Sequence, residues 1–156
     1  MSYAGVNVKQ FIFDDNCKLK GIGRQAFSKT ISETTTITEE GGVFYFGSTS
    51  NPYMFCAGPK DTTLANYTLN EKTMYIMDYA FNGCRITGKM KIPASVVYVG
   101  PYAFATVTPD FTGNTTGWKV NSTKYNKSVN VSTAEGLKDL QNSDGYAYNN
   151  GMTRMQ

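Results

Sequence analysis

Three copies of one pattern, aliphatic–x–x–x–Ala-Phe, constrain this chain more than any other feature: Ile22 to Phe27, Ile76 to Phe81 and Val99 to Phe104. The last two copies stand 23 residues apart, and residues 69–81 superpose on residues 92–104 without a gap. Leu69/Ile92, Met74/Val97, Tyr75/Tyr98, Ile76/Val99, Tyr79/Tyr102, Ala80/Ala103 and Phe81/Phe104 then coincide. A period in the low twenties is that of a solenoid whose coils each supply one short strand. No coil can bury its apolar flank alone, so equivalent side chains should stack in columns from one coil to the next. Phe27, Phe81 and Phe104 are expected in one such column. Leu69 and Ile92 are expected on strands, with Tyr67 and Met90 two residues earlier on the same face. Gly23 and Gly100 share one motif position that Met77 fills in the middle copy, which points either to positive φ or to close backbone packing.

The first and second copies lie 54 residues apart, 31 more than one coil, and the simplest reading is an insertion across about 31–60. Within it, residues 28–42 read as a loop or an edge hairpin, and Val43–Phe46 and Tyr53–Ala57 as short strands before a turn at Gly58-Pro59-Lys60-Asp61. Val6–Phe13 reads as a further strand. Beyond Phe104 the repeat stops. Trp118 and Val120, then Tyr125, Val129 and Val131, suggest two strands with a turn near 121–123, and Ser132-Thr-Ala-Glu135 fits a capping box ahead of a two-turn helix that Gly136 weakens. Residues 142–156 carry turn residues without periodicity and are expected to be mobile unless neighbouring chains hold them, with Tyr146 and Tyr148 as the docking residues. The division is a solenoid over 1–104 and a cap and tail over 105–156 of the same compact unit.

Composition narrows function by exclusion. The chain has 156 residues and no histidine, which removes Ser-His-Asp and Cys-His catalysis and most zinc sites. A net charge of +3, with the basic residues scattered, gives no nucleic-acid footprint. Three widely spaced cysteines imply no disulfide framework, and Cys84 reads as a small buried filler. The first ten residues lack the basic and apolar regions of a secretory signal, and no apolar run is long enough for a membrane span. Five Asn-x-Ser/Thr sequons, at Asn66, Asn114, Asn121, Asn126 and Asn130, are what a chain rich in Asn and Thr produces by chance. Gly21-Ile-Gly23 lacks the third glycine of a dinucleotide loop. Asp14-Asp15 and Glu39-Glu40 are adjacent, so on a strand each pair would point to opposite faces. No catalytic residue, cofactor or metal is assigned.

The segments Tyr75-Ile-Met-Asp-Tyr-Ala-Phe-Asn-Gly-Cys84 and Ile92-Pro-Ala-Ser-Val-Val-Tyr-Val-Gly-Pro-Tyr-Ala-Phe104 resemble the BspA-type (Treponema-type) leucine-rich repeat. Tyr45-Phe-Gly-Ser-Thr-Ser-Asn-Pro-Tyr53 is similar to the element found between repeat blocks of that family. The resemblance covers about residues 17–104. It implies an α/β leucine-rich-repeat solenoid, strand-dominated with short helical turns, of about three coils plus the insertion and a C-terminal β-rich cap. Members are typically attachment proteins displayed at surfaces. The resemblance therefore implies a non-enzymatic attachment or decoration protein that binds other proteins or surface glycans, on a phage or virion surface. A bacterial cell-surface adhesin module is the alternative, a cytoplasmic interaction module a further setting, and a small carboxylate-based hydrolase the runner-up from another class. The candidate binding surface is Tyr45, Asn51, Tyr53, Tyr98 and Tyr102, with Phe46 reading equally as core. The partners are neighbouring chains of an assembly, including other copies of this one, or a host surface protein or glycan.

Overall fold

The computed structural model describes residues 12–23 and 37–155. Phe27, and the expected first strand apart from Ile12 and Phe13, lie outside the described residues. The strands are β1 (Ile37–Glu40), β2 (Val43–Phe46), β3 (Phe55–Pro59), β4 (Tyr75–Ile76), β5 (Lys89–Lys91), β6 (Tyr98–Val99), β7 (Thr108–Asp110), β8 (Trp118–Val120) and β9 (Ser128–Val129). Helices α1 (Ala134–Gln141) and α2 (Tyr146–Asn150) and strand β10 (Met152–Arg154) complete the chain. Eight strands form one sheet in the order β1-β2-β3-β4-β6-β10-β8-β9, and β5 pairs β7 in a second ladder.

The repeat sets the middle of the large sheet. Strand β4 runs parallel to β6 with Tyr75 opposite Tyr98 and Ile76 opposite Val99, the 23-residue register of the sequence. Phe81 and Phe104 stack with ring centroids 6.1 Å apart and planes within 3°. Their column continues beyond the repeat: Phe111 meets Phe104 edge-on, and Trp118 meets Phe111 at 5.5 Å. The inner row of the sheet runs Tyr45, Cys56, Ile76, Val99, Met152 and Val120, each opposite the next across β2, β3, β4, β6, β10 and β8. All six are buried.

Gly100 resolves the shared glycine position in favour of close packing. A Cβ there would collide with the backbone and carboxylate of Asp78 in the preceding layer, and its φ is not in the left-handed region. At Gly23 a Cβ would meet only the Asp78 carboxylate at 3.8 Å, so that position is far less crowded. Left-handed backbone appears two residues later instead, at Tyr79 and Tyr102, both with φ of 59°. The two tyrosines occupy one motif position, so the coil itself imposes a conformation that costs a non-glycine residue about 1–3 kcal/mol. Neighbouring layers hold it: the Tyr79 amide donates to the Pro101 carbonyl at 2.9 Å and the Tyr102 amide to that of Tyr148 at 2.8 Å.

Three expectations change. Residues 55–59, placed in the insertion, form strand β3, which runs parallel to β4 with Phe55 opposite Tyr75. The step from β3 to β4 is 20 residues rather than 23, so a fixed-period search passes over it. The start of the expected turn, Gly58-Pro59, belongs to that strand. Second, Met90 lies on β5, whose partner is β7, and the Ile92 amide extends that pairing to the Asp110 carbonyl at 2.8 Å. Tyr67 and Leu69 are buried, but neither is on a strand.

Third, the C-terminal segment is built into the fold. Strand β10 lies between β6 and β8 and pairs antiparallel with both. The tail therefore pairs with strands of its own chain. Upstream, β8 and β9 pair as the alternation suggests. Helix α1 is capped by Thr133, one residue later than the first of the capping-box residues, its hydroxyl accepting from the Gly136 amide at 3.1 Å. Gly136 is required despite its poor helix propensity, because a Cβ would strike the Asn130 carbonyl. Of the segment 28–42, residues 28–36 lie outside the described residues, and residues 37–40 pair with Val43–Phe46 in a hairpin that turns at Gly41 and Gly42 with φ of 59° and 76°. Cys17, Cys56 and Cys84 are free thiols, the last two buried; burial pushes Cys56 up to about 12.

Candidate binding surface

Side chains alternate across a strand, so the residues beside the inner row form an outer one. It reads Phe46, Phe55, Tyr75, Tyr98, Thr153 and Lys119 across β2, β3, β4, β6, β10 and β8. Four aromatic residues are followed by two polar ones. The aromatic part is continuous: Phe55 stacks on Tyr75 at 4.8 Å, and Tyr75 meets Tyr98 at 6.5 Å.

An arm formed by residues 12–23 lies over this aromatic half. Phe13 packs on Phe55 at 5.5 Å and on Phe46 at 6.3 Å, and Ile22 is buried in the same cluster. Gly21 approaches the Tyr98 ring so closely that a Cβ would sit 3.0 Å from it. At the arm's other end the Asp15 carboxylate accepts from the Ser50 hydroxyl at 2.8 Å. Those serine contacts, Ser48 foremost and then Ser50, hold its pKa below the usual carboxylate value.

The sequence-nominated residues separate on this frame. Tyr45 is fully buried on the inner row, with its hydroxyl accepting from the Asn70 amide at 3.1 Å. It belongs to the core because the alternation of β2 sends Val43 and Tyr45 inward, and it leaves the binding surface. Phe46 is buried as well, beneath the arm. Asn51 is a structural bridge: its amide donates to the Lys72 carbonyl at 3.1 Å and its oxygen accepts from the Tyr53 amide. Tyr53 is half-buried and donates to Glu40 at 2.6 Å; that bond, with one from Asn70, lowers the Glu40 pKa.

Tyr98 is half-buried on the outer row. Its hydroxyl bonds to the Asp78 carboxylate; burial, followed by that negative charge, pushes the phenol up to about 12. Burial also raises the Asp78 pKa. Tyr102 lies elsewhere, in a column at the coil bend: it stacks on Tyr79 at 4.5 Å and meets Tyr148 edge-on at 4.9 Å. Tyr148 therefore docks within its own chain. Tyr146 packs on Tyr125 at 4.7 Å beneath the Lys127 ammonium and keeps 40% of its surface exposed.

Sequence reasoning missed Tyr79 and Tyr75, although the repeat pairs each with a nominated tyrosine. It also missed Lys20, Thr153 and Arg154, for which no local pattern gives a signal. These residues, with Met74, Tyr75, Val97, Tyr98 and Met155, line a cleft of about 360 Å³ where the arm meets β10.

The sequence-adjacent carboxylates go to separate partners. Asp14 and Asp15 turn to different partners, the Asn16 amide and Ser50, and Glu39 pairs Lys60 while Glu40 bonds Tyr53 and Asn70. A separate cleft of about 390 Å³ is lined by Glu135, Asp139 and Asp144 among others. Asp139 is committed there to Lys127 at 3.1 Å and to the Tyr146 and Ala147 amides at the start of α2. Among the described residues no group of three potential metal ligands gathers, and no helix is long and apolar enough to cross a membrane.

No curated protein and no solved structure matches the chain. The family model described as the BspA type leucine rich repeat region does match, in six copies over residues 1–107 and 51–151. The matches extend past Phe104, where the sequence motif ends, to cover β7–β9 and both helices. A strand-rich chain with a parallel, in-register ladder through residues 55–99, matched over nearly its whole length, belongs to the BspA-type leucine-rich repeat family.

Proposed function

We propose that this protein is a non-enzymatic attachment or decoration module at a virion surface, a short solenoid of about three coils closed by its C-terminal residues. Membership of the BspA-type family suggests a protein-binding or adhesin-like module. The observation that carries the reading is the pair Tyr75 and Tyr98, half-buried on the outer row of the parallel ladder where the arm ends, with the buried Phe55 stacked beside them. Tyrosine on a fixed backbone offers a large contact area and a hydroxyl at little entropic cost, which suits recognition. The commitment of Asp15, Glu40 and Asp139 to structural partners supports binding over carboxylate catalysis.

A virion and a bacterial cell surface require the same displayed face, and fractionation separates the two settings. In density-gradient centrifugation of a lysate from phage-producing cells, probed with an antibody to the chain, we expect the protein in the particle band. Recovery with the cell envelope instead would establish the adhesin alternative. Recovery wholly in the soluble fraction would overturn both.

A further inference from the structure

We propose that the cleft between the arm and β10 is a docking site for an acidic extended peptide of a partner protein, with Lys20 and Arg154 as the groups that receive its carboxylates. This rests on the binding-module reading above and assigns it a site.

The cleft is not made by the repeat alone. Its floor is Met74, Tyr75, Val97 and Tyr98 from two successive layers, while one wall is Lys20 of the arm and the other is Thr153, Arg154 and Met155 of the C-terminal strand. At about 360 Å³ it is of the size that takes a few side chains or a small ligand. Apolar wall surface is available, since Met155 keeps 59% of its area exposed.

The charge is one-sided. Among the described residues no Asp or Glu lines the cleft. The three ion pairs among the described residues involve Lys60, Lys91 and Lys127, so neither Lys20 nor Arg154 has a carboxylate partner there. Arg154 is held in place from behind: its Nε donates to the Thr116 carbonyl at 3.2 Å and one terminal nitrogen to the Ala94 carbonyl at 3.3 Å. Neutral carbonyls orient a guanidinium without cancelling its charge, and its remaining N–H groups can still meet a carboxylate.

The occupant's form is indicated by what already lies on this face. The arm is itself a peptide without regular secondary structure, laid along the aromatic row with Gly21 against Tyr98. The cleft continues that track beyond Tyr98 to Thr153. An extended chain with alternating acidic and aliphatic residues would place carboxylates on Lys20 and Arg154 and aliphatic groups on the tyrosine floor.

The test is fluorescence anisotropy on the intact chain, with a labelled peptide of alternating Glu and Leu, the same peptide with Lys in place of Glu, and a hyaluronan oligosaccharide as an acidic glycan. We expect the Glu–Leu peptide to bind, with affinity falling as salt rises, and the Lys–Leu peptide not to. Arg154→Met and Lys20→Met should each weaken binding about tenfold, as loss of a charge-assisted hydrogen bond does, whereas Lys138→Met on α1 should not. Lys20 is exposed on the arm, so its variant reports even if Arg154→Met fails to fold. Equal binding of the Lys–Leu peptide, or affinity unchanged in Lys20→Met, overturns the site. So does binding of the oligosaccharide alone. Each of these leaves the binding-module reading standing, since that reading is tested by where the protein fractionates.

Discussion

The step from β4 to β6 and the step from β6 to β10 do the same job with unrelated sequences. In the first, the Met74 carbonyl accepts from the Val97 and Tyr98 amides of the next layer, Ile76 faces Val99, and the Tyr79 amide reaches Pro101. In the second, the Val97 carbonyl accepts from Arg154 at 2.8 Å, Val99 faces Met152, and the Tyr102 amide reaches Tyr148. Ring columns follow suit, Tyr79 on Tyr102 and then Tyr102 on Tyr148. The difference is direction. Repeat strands run parallel, whereas β10 runs antiparallel and enters from the far end of the chain. What a stacked coil demands of its neighbour is thus a set of donors, an apolar side chain and a ring at fixed places. Any backbone that supplies them can end the array and cover an otherwise exposed strand edge.

Removing residues 142–156 should break this equivalence most severely. Strands β6 and β8 would each lose one of their two partners and Val99 its cover, so we expect loss of the cooperative melt by circular dichroism. A truncated chain that melts as the full one does would mean that β10 is dispensable. Phe81→Ala should come next, costing about 3–5 kcal/mol in denaturant unfolding, because a fully buried ring is lost from a column that cannot close around the gap.

Gly136→Ala sharpens the comparison by its sign. Helix propensity alone would make alanine better by about 0.8–1.0 kcal/mol. Collision with the Asn130 carbonyl should instead make it destabilising by about 1–3 kcal/mol, the usual cost of overpacking. Tyr148→Ala should remove about 0.5–1.5 kcal/mol of ring pairing on Tyr102 besides its buried area, and a smaller loss would show that the final layer does not depend on its ring.

The smallest expected effect is one of pH. Asp78 has a pKa raised from 3.8 by burial, so the folded state binds its proton more tightly than the unfolded chain does. Stability from this group is therefore greatest in acid and falls as pH rises through and above 3.8. Asp78→Asn should remove that fall, so that variant minus parent stability grows with pH across this range. A difference that stays flat would mean that the carboxylate is solvated in the fold.

The sequence shows the ladder wherever a residue meets its own copy. Tyr75 and Tyr98, Ile76 and Val99, and Phe81 and Phe104 are legible for that reason. Residues 53–57 read as a strand, but the place of β3 in the ladder was hidden by a shorter step, and β10 by contacts made once only. Met152 sits in an Asn-Gly-Met-Thr-Arg stretch that has no period, and nothing local shows that its partner is Val99. The position of Tyr98 opposite Tyr75 was legible, because the repeat places it. Tyr45 misled, since an aromatic run in β2 does not say which of its rings faces inward until the hairpin register fixes the alternation. Lys20 and Arg154 lie 134 positions apart, and only the folded chain brings them to one cleft.

Stacking of successive layers in the 23-residue register is tested most directly by a double-mutant cycle on Phe81→Leu and Phe104→Leu, with unfolding free energy as the readout. Rings 6.1 Å apart and nearly parallel should give a coupling of about 0.5 kcal/mol or more. Strict additivity, to within about 0.3 kcal/mol, would mean that the two rings do not touch and that the layers are not stacked as described.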